Sequence, residues 1–209
     1  MVKRYDCLKL LSSWTDQHMI TVTSRGAHAR EWAYFWKEGA NFFSLNMGMC
    51  LPFALGLTLA FPKRKVIAID SDGSLLLDTS SLVTVADVNP PNLLALVFDN
   101  QSYSHMGTTA TVRGADLEKI AQGAGIKKTA TVRTLEEFGA VQEALKSPGP
   151  SFFVAKIEPG KAQVKTDSRR IHGRPMKEAF VEALLRHPDY PHPLPLPSRE
   201  RVKGEGSAK

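Results

Sequence analysis

Residues 65–74 read KVIAIDSDGS, and this stretch decides how the rest of the chain is interpreted. An apolar, β-branched run ends in polar residues and a glycine, a pattern typical of a buried strand that leads into a turn or a helix. Open α/β sheets bind ligands beyond the carboxyl ends of their strands, where Asp72 stands. The stretch therefore predicts a ligand site at a strand tip, with an ordinary Asp-Gly turn as the alternative.

A second apolar run, residues 93–98, is followed by Asn100, which lies 28 residues after Asp72. This spacing fits one helix plus one strand, so both side chains are expected at the same edge of a sheet. Carboxylate and amide oxygens are the hard ligands that Mg²⁺ prefers. The amides and the Ser74 hydroxyl at the start of the next helix suit phosphate oxygens. Together these features predict a site for magnesium and a phosphate group.

The Asp72-Gly73-Ser74 segment, followed by Asp99-Asn100 and Tyr103, resembles the cofactor motif of thiamine diphosphate-dependent enzymes, in their C-terminal, diphosphate-binding domain. The resemblance implies that thiamine diphosphate and Mg²⁺ bind here, with the side chains of Asp72 and Asn100 and the Ser102 carbonyl as metal ligands. The cofactor contacts it implies in this motif are Asp72, Gly73, Ser74, Asn100, Ser102 and Tyr103. The family usually has glycine where this chain has Ser71, which is also small.

Two upstream segments extend the resemblance. In Leu45-Asn46-Met47-Gly48, the Met47 side chain would hold the cofactor in its bent shape, while the Leu45 carbonyl and the Met47 amide would bind its aminopyrimidine. The alternative is that Met47 belongs to the ordinary core. In Arg25-Gly26-Ala27-His28, Gly26 would approach the diphosphate and His28 would contact it, or His28 would cap a helix.

Residues 104–111 resemble the loop that faces the substrate in related decarboxylases. His105 has a side chain that titrates near neutrality, so the resemblance makes it a candidate proton donor to the product carbanion. The alternative is a histidine that only forms a hydrogen bond within the loop. Thr108 and Thr109 are candidates for binding an acidic group of the substrate.

Composition limits the other classes of function. The formal charge of +6 is concentrated after Lys156 and comes with no nucleic-acid motif, which favours a solvated tail over nucleic-acid binding. Cys7 and Cys50 are far apart and indicate neither a disulfide framework nor a metal cluster, so we predict a cytoplasmic protein. Residues 39–62 carry no charge, but polar residues, Gly48 and Pro52 interrupt them, which argues against a membrane span.

Alternating apolar segments predict an α/β fold with three layers, in which helices cover both faces of a mainly parallel sheet. Predicted helices cover residues 6–17, 29–37, 49–61, 73–88, 115–124, 135–146 and 176–186. Predicted strands cover residues 19–24, 41–45, 65–70, 93–98, 126–132 and 151–157. We divide the chain into a thiamine diphosphate-binding domain (1–160), an extension with a short helix (161–187) and a disordered Pro-rich, basic tail (188–209).

The resemblance covers residues 21–158 and is nearest to sulfopyruvate decarboxylase, in its separately encoded diphosphate-binding subunit, and to phosphonopyruvate decarboxylase. It implies a subunit of a 2-oxo acid decarboxylase. No segment is long enough for the family's pyrimidine-binding domain and its glutamate, and Glu31 is interpreted as a surface or structural carboxylate. We therefore expect a separately encoded partner, in a hetero-oligomer, with a homodimer of the chain alone. The alternatives are the β subunit of a 2-oxo acid oxidoreductase and a non-catalytic cofactor-binding protein.

Overall fold

The computed structural model describes residues 1–36 and 38–190, except for the side chain of His105. The strands are β1 (Ile20–Ser24), β2 (Ala40–Leu45), β3 (Val66–Ser71), β4 (Leu93–Asp99), β5 (Lys128–Val132) and β6 (Ser151–Lys156). The helices are α1 (Arg4–Trp14), α2 (Ala27–Phe35), α3 (Cys50–Ala60), α4 (Asp72–Leu75), α5 (Ser81–Val88), α6 (Leu117–Gly123), α7 (Leu135–Lys146), α8 (Ser168–Ile171) and α9 (Gly173–Leu185). Most of the predicted helices and strands therefore have a counterpart in the structure.

The strands form one sheet in the order β2-β1-β3-β4-β6-β5, and every pair is parallel. The chain moves outward from β1 to β2 on one side and then returns to place β3 on the other side of β1. This reversal leaves a crevice beyond the carboxyl ends of β1 and β3, which is where open α/β sheets bind ligands. The order of the strands thus puts the turn after Ser71 beside the turn after Ser24.

Two hydrophobic cores lie on opposite faces of the sheet. In β3, Val66 and Ala68 point into one core, while Ile67 and Ile69 point into the other. The first core is closed by α3, α5, α6 and α9, and the second by α1, α2, α7 and α8. Because a strand presents alternate side chains to opposite faces, an all-apolar strand requires cover on both sides. The predicted three-layer α/β class is confirmed.

The predicted helix over residues 73–88 is wrong as a single element. It is divided into α4, which has four residues, and α5, which begins at Ser81. The Asp78 carboxylate between them accepts hydrogen bonds from the Ser81 amide at 3.3 Å and from the Ser80 hydroxyl at 2.5 Å. Such side-chain bonds to nearby polar groups compete with a continuous helix, so the chain turns before α5 starts.

The C-terminal extension packs on the sheet through α9. Phe180 lies in the first core, and its ring is 5.2 Å from that of Phe42 on β2 and 6.3 Å from that of Phe53 on α3. Residues 188–190, which the sequence assigns to the tail, follow directly, and the Tyr190 ring is 6.1 Å from the Phe61 ring. The rest of the predicted tail, residues 191–209, lies outside the described residues.

The uncharged residues 39–62 form β2, the turn at Met47 and α3. Within the part of the chain that the structure describes, no helix is long and apolar enough to cross a membrane. The side chains of Cys7 and Cys50 are both buried and free. Burial raises the pKa of the Cys7 thiol to about 12 and also raises that of Cys50, which leaves both in the unreactive thiol form.

Candidate functional site

A cleft of about 790 Å³ lies at the carboxyl edge of the sheet, at the crevice between β1 and β3. Four successive strand ends contribute to it. The residues that come from these strand ends are Arg25, Gly26, Ala27 and His28 after β1, Ser44 and Met47 at β2, Ser71 and Gly73 at β3, and Phe98, Asn100, Ser102, Tyr103, Ser104 and Met106 at β4. The segments that the sequence singled out separately therefore meet in one place.

Asp72, like Asp99 at the same edge, has no exposed surface. Its Oδ2 accepts a hydrogen bond from the Thr109 hydroxyl at 2.7 Å, whereas its Oδ1 is buried without a hydrogen-bond partner. Burial raises the pKa of Asp72 to about 6, although the bond from Thr109 works in the opposite direction. A buried carboxylate oxygen without a donor is costly, and a bound cation would satisfy it.

A chain of hydrogen bonds, which the sequence analysis missed, runs from Asp72 along the strand ends. The hydroxyls of Thr109 and Thr111 are 2.7 Å apart, and that of Thr111 donates to Asp99 Oδ1 at 2.9 Å. Lys156, at the end of β6, forms an ion pair with Asp99 Oδ2. Thr109 has no exposed surface, so the interpretation that its hydroxyl binds substrate is wrong, whereas Thr108 is exposed.

The Met47 turn is tied to the Asp72 turn through backbone and hydroxyl groups. The Gly48 amide donates to the Ser74 hydroxyl at 3.1 Å, and that hydroxyl also bonds to Asp70. The predicted contact between the Ser74 hydroxyl and phosphate is thus replaced by an internal link. Met47 lines the cleft and belongs to neither core, which excludes the alternative of an ordinary core residue. The Leu45 carbonyl accepts from the Arg25 amide at 2.8 Å.

Ser71, the departure from the family pattern, has an extended backbone with φ −126° and ψ 159°. Glycine is therefore not required at this position for conformational reasons. The Ser71 hydroxyl accepts a hydrogen bond from the Ser74 amide at 3.4 Å and so caps α4. The substitution of serine for glycine is compatible with the turn.

His28 lines the cleft from the first turn of α2. Its Nε2 is 2.9 Å from the Ser24 hydroxyl, so its hydrogen bond goes to β1 rather than to the start of a helix, and the capping alternative is not what the structure shows. Burial, with the charge of Arg4, lowers the pKa of His28 to about 3, so the imidazole is neutral at physiological pH. The ring lies against Gly26, where a Cβ atom would be 2.5 Å from its Cε1.

The loop after β4 is strained where it approaches the cleft. Gln101 and Ser104 have φ angles of +60° and +62°, and Ser44, across the cleft, has φ +56°. Non-glycine residues in this region cost on the order of 1–3 kcal/mol each and tend to occur at functional sites. Asn100 accepts a hydrogen bond from the Ser102 amide through its Oδ1 at 3.1 Å. The side chain of His105, the predicted proton donor, lies outside the described residues.

The opposite wall of the cleft is formed by a segment outside the predicted cofactor motifs. Pro159, Gly160 and Lys161 follow β6 and line the cleft. They are held by a buried ion pair in which Arg4 donates to both oxygens of Glu31 at 2.8 and 3.0 Å. Arg4 also donates to the Gly160 carbonyl at 2.9 Å, and the Ala162 amide donates to Glu31 at 3.0 Å. Of the two roles predicted for Glu31, the structure shows a structural carboxylate and not one on the surface.

Positive charge dominates this cleft. Among the described residues that line it there is no aspartate or glutamate, and the cations are Arg4, Arg25, Arg30 and Lys161. Of these four cations, only Arg4 forms an ion pair with another described residue. A concave site lined by charges of one sign concentrates ligands of the opposite sign. The cleft is therefore suited to an anionic cofactor, an anionic substrate, or both.

Gly73 gives a direct test of the packing at this site. A Cβ atom on Gly73 would lie 2.4 Å from Cε1 of Tyr103, whereas one on Gly56, in α3, would meet no atom within 4 Å. We expect Gly73→Ala to lower the free energy of unfolding by about 1–3 kcal/mol, the usual cost of overpacking. Gly56→Ala should instead raise it by up to about 1 kcal/mol, because alanine favours a helix.

Urea denaturation of both variants measures this difference. Placing Gly73→Ala in a Tyr103→Ala background should remove most of the cost, because the ring that the new methyl group meets is then absent. Equal unfolding free energies for Gly73→Ala and Gly56→Ala would contradict the packing described here.

Comparison with known proteins places this geometry in a family. Residues 24–155 match the model described as "Thiamine pyrophosphate enzyme, C-terminal TPP binding domain". The chain is 34% identical to sulfopyruvate decarboxylase subunit beta of Methanocaldococcus jannaschii, over 88% of this chain and 98% of that one. It is 30% identical to phosphonopyruvate decarboxylase of Streptomyces viridochromogenes, over 75% of this chain and 40% of that one.

Among solved structures, an enzyme from Mycobacterium smegmatis that is assigned as thiamin diphosphate-dependent matches with a TM-score of 0.67. The match covers 76% of this chain and 32% of that chain, at 23% identity. At that level of identity the likeness establishes the fold alone.

Proposed function

Because the chain belongs to the thiamine pyrophosphate enzymes, whose C-terminal TPP-binding domain it carries, we propose that it is the diphosphate-binding subunit of a 2-oxo acid decarboxylase. The observation that carries the proposal is Asp72, which is buried between two residues that line the cleft, Ser71 and Gly73, with one oxygen held by Thr109 and the other without a partner among the described residues. When bound, thiamine diphosphate supplies the electron sink that decarboxylation of a 2-oxo acid requires.

The residues of this chain bind and orient the cofactor. Asp72 and Asn100, with the carbonyl of Ser102, would hold Mg²⁺, while Gly73 and Tyr103, which line the cleft, would lie beside the diphosphate. Gly26 and the neutral His28 lie at the next strand end, and Met47 projects into the cleft where the cofactor would bend. Within the described residues no cluster of three His, Cys, Asp or Glu side chains could hold a metal. A magnesium ion would therefore depend on phosphate oxygens as well as on the protein, as is common for this ion.

Three cations of the cleft that form no ion pair with another described residue support a substrate of acidic character. The positive charge of Arg25, Arg30 and Lys161 exceeds the net negative charge of one metal-bound diphosphate. The excess suits a small 2-oxo acid, which is anionic. His105 remains the candidate proton donor to the product. Sulfopyruvate and phosphonopyruvate, which the names of two relatives include, are the first substrates to examine.

We also propose that the chain acts with a separately encoded partner. It spans nearly the whole of a relative named as a subunit beta but less than half of phosphonopyruvate decarboxylase. More than half of the latter lies outside the match. A cytoplasmic hetero-oligomer that contains two or more copies of each subunit fits this arrangement.

Release of carbon dioxide from a panel of 2-oxo acids by the reconstituted complex tests the function. We expect turnover that depends on thiamine diphosphate and Mg²⁺ and is highest for acids with a second anionic group. Pyruvate, which has no second anionic group, serves as the comparison. Reduction of an electron acceptor in place of simple decarboxylation would indicate the oxidoreductase alternative. Tight cofactor binding without turnover of any acid would indicate the non-catalytic one.

A further inference from the structure

Two threonines on the loop after β4 connect the candidate metal ligand to the rest of the sheet edge. Thr109 is buried and donates to Asp72 Oδ2 at 2.7 Å, and Thr111, which is also buried, donates to Asp99 Oδ1 at 2.9 Å. The two hydroxyls are 2.7 Å apart. Neither hydroxyl is accessible to a substrate, so their role must be exerted through the carboxylates that they contact.

The bond from Thr109 fixes the direction of the Asp72 carboxylate. Rotation about the last side-chain bond of an aspartate exchanges its two oxygens, and a strong donor on one oxygen removes that freedom. Here Oδ2 is held by Thr109, and Oδ1 is left without a partner. Hydrogen bonds of this kind to a metal ligand commonly set its orientation and its affinity.

The far end of the network is anchored. Asp99 accepts from the Gln101 amide at 3.1 Å and forms an ion pair with Lys156 on the neighbouring strand β6. Its side chain has no exposed surface, so breaking this pair would leave a buried charge uncompensated. Thr111 therefore bonds to a fixed group and Thr109 bonds to Asp72, so the loop that carries both threonines is held at two points.

We propose that Thr109 is a positioning residue for the metal site and that, with Thr111, it latches the loop of residues 101–113 to the carboxylate that binds the metal. This inference rests on the proposed function. The latched loop begins directly after Asn100 and carries Ser102, Tyr103 and His105. Metal occupancy and the order of this loop are consequently coupled, and the coupling is reciprocal: each stabilises the other.

Replacement of Thr109 separates this role from general packing. Valine has the shape of threonine without the hydroxyl. Thr109→Val should therefore lower the affinity of Mg²⁺-dependent thiamine diphosphate binding by about 10- to 100-fold, the usual effect of losing such a supporting bond. Thr109→Ser, which keeps the hydroxyl, should restore most of the affinity. Thr84→Val, the same change at an exposed position of α5, is the matched control, and we expect it to bind as the parent does.

Isothermal titration of the purified chain with cofactor, at several Mg²⁺ concentrations, gives these affinities. If the parent binds and Thr109→Val binds equally well, the positioning role is overturned while the proposed function stands. A parent chain that binds no cofactor at any Mg²⁺ concentration would instead contradict the proposed function and, with it, this inference.

Hydrogen exchange of the parent protein tests the coupling without any variant. The amides of Thr109, Val112 and Gly114 donate hydrogen bonds to carbonyl groups of the loop at 3.1 to 3.3 Å. We expect cofactor with Mg²⁺ to slow their exchange markedly, while amides of α7 are unaffected. Exchange in residues 109–114 that does not change when the cofactor binds would contradict the proposed coupling between metal binding and the order of the loop.

Discussion

Replacing Asp72 with asparagine is expected to weaken Mg²⁺-dependent binding of thiamine diphosphate by about 100-fold or more, which corresponds to roughly 2.7 kcal/mol. Thr109 can still donate to the amide oxygen of asparagine, so the oxygen that faces Thr109 is retained. The NH₂ group then takes the place of the unpartnered Oδ1. An amide nitrogen is a hydrogen-bond donor and cannot act as a hard oxygen ligand for magnesium.

The same replacement should not destabilise the free protein. Burial raises the pKa of Asp72 to about 6, above its unfolded value, so the ionised carboxylate costs folding free energy at pH values above 6. Asparagine carries no charge and avoids that cost. At pH 8 and without cofactor we therefore expect a melting temperature at least as high as that of the parent.

Titration calorimetry with thermal denaturation measures both quantities. Asp87→Asn, the same change at an exposed position of α5, is the matched control and should alter neither. Asn100→Ala, like Asp72→Asn, should weaken the Mg²⁺-dependent binding of thiamine diphosphate. Unchanged affinity in both site variants would remove the assignment of Asp72 and Asn100 as metal ligands.

The sequence predicted the parts of the fold that local pattern determines. Strands β3 and β4 are runs of apolar residues that end in Asp70-Ser71 and in Asp99, and α7 occupies the predicted residues Leu135–Lys146. Thr134 caps α7 through the Glu137 amide at 3.1 Å. Where the apolar period and the terminal signals agree, the element and its ends follow from the sequence.

Contacts between distant segments did not follow from the sequence. Thr109 meets Asp72 across 37 residues, and no local signal distinguishes it from Thr108, which is exposed. Ser74 was expected to face phosphate, but its hydroxyl joins Gly48 to Asp70. The segments that the resemblance singled out meet in one cleft at the strand ends. Which of two adjacent hydroxyls faces inward depends on the path of the loop, and that path is set by tertiary packing.

The isolated chain is expected to be catalytically deficient, because it has no free acid at the cleft. None of the described residues that line the cleft is aspartate or glutamate. The nearby buried carboxylates already have partners: Glu31 is paired with Arg4, and Asp99 with Lys156. Asp70 accepts from the Ser71 amide at 2.8 Å, and Asp72 is the candidate metal ligand.

The family resemblance implies that a glutamate of a pyrimidine-binding domain protonates the aminopyrimidine of the cofactor. None of the described residues that line the cleft is an acid, so we expect the proposed partner to supply this glutamate. Positioned acids and bases contribute about 10²- to 10⁴-fold to a rate. We expect the decarboxylation rate to rise by a factor in that range when the partner subunit is added to this chain and saturating cofactor.

Rates should be compared for this chain alone, the partner alone, the mixture, and the mixture in which the partner's glutamate is replaced by glutamine. The last of these separates two contributions of the partner, which are the packing of its surface over the cleft and the acid that its glutamate supplies. If packing over the cleft were sufficient, the glutamine variant would match the parent mixture. We expect it instead to fall to a rate near that of this chain alone, whereas full activity of the isolated chain would show that the cleft already contains every group the reaction needs.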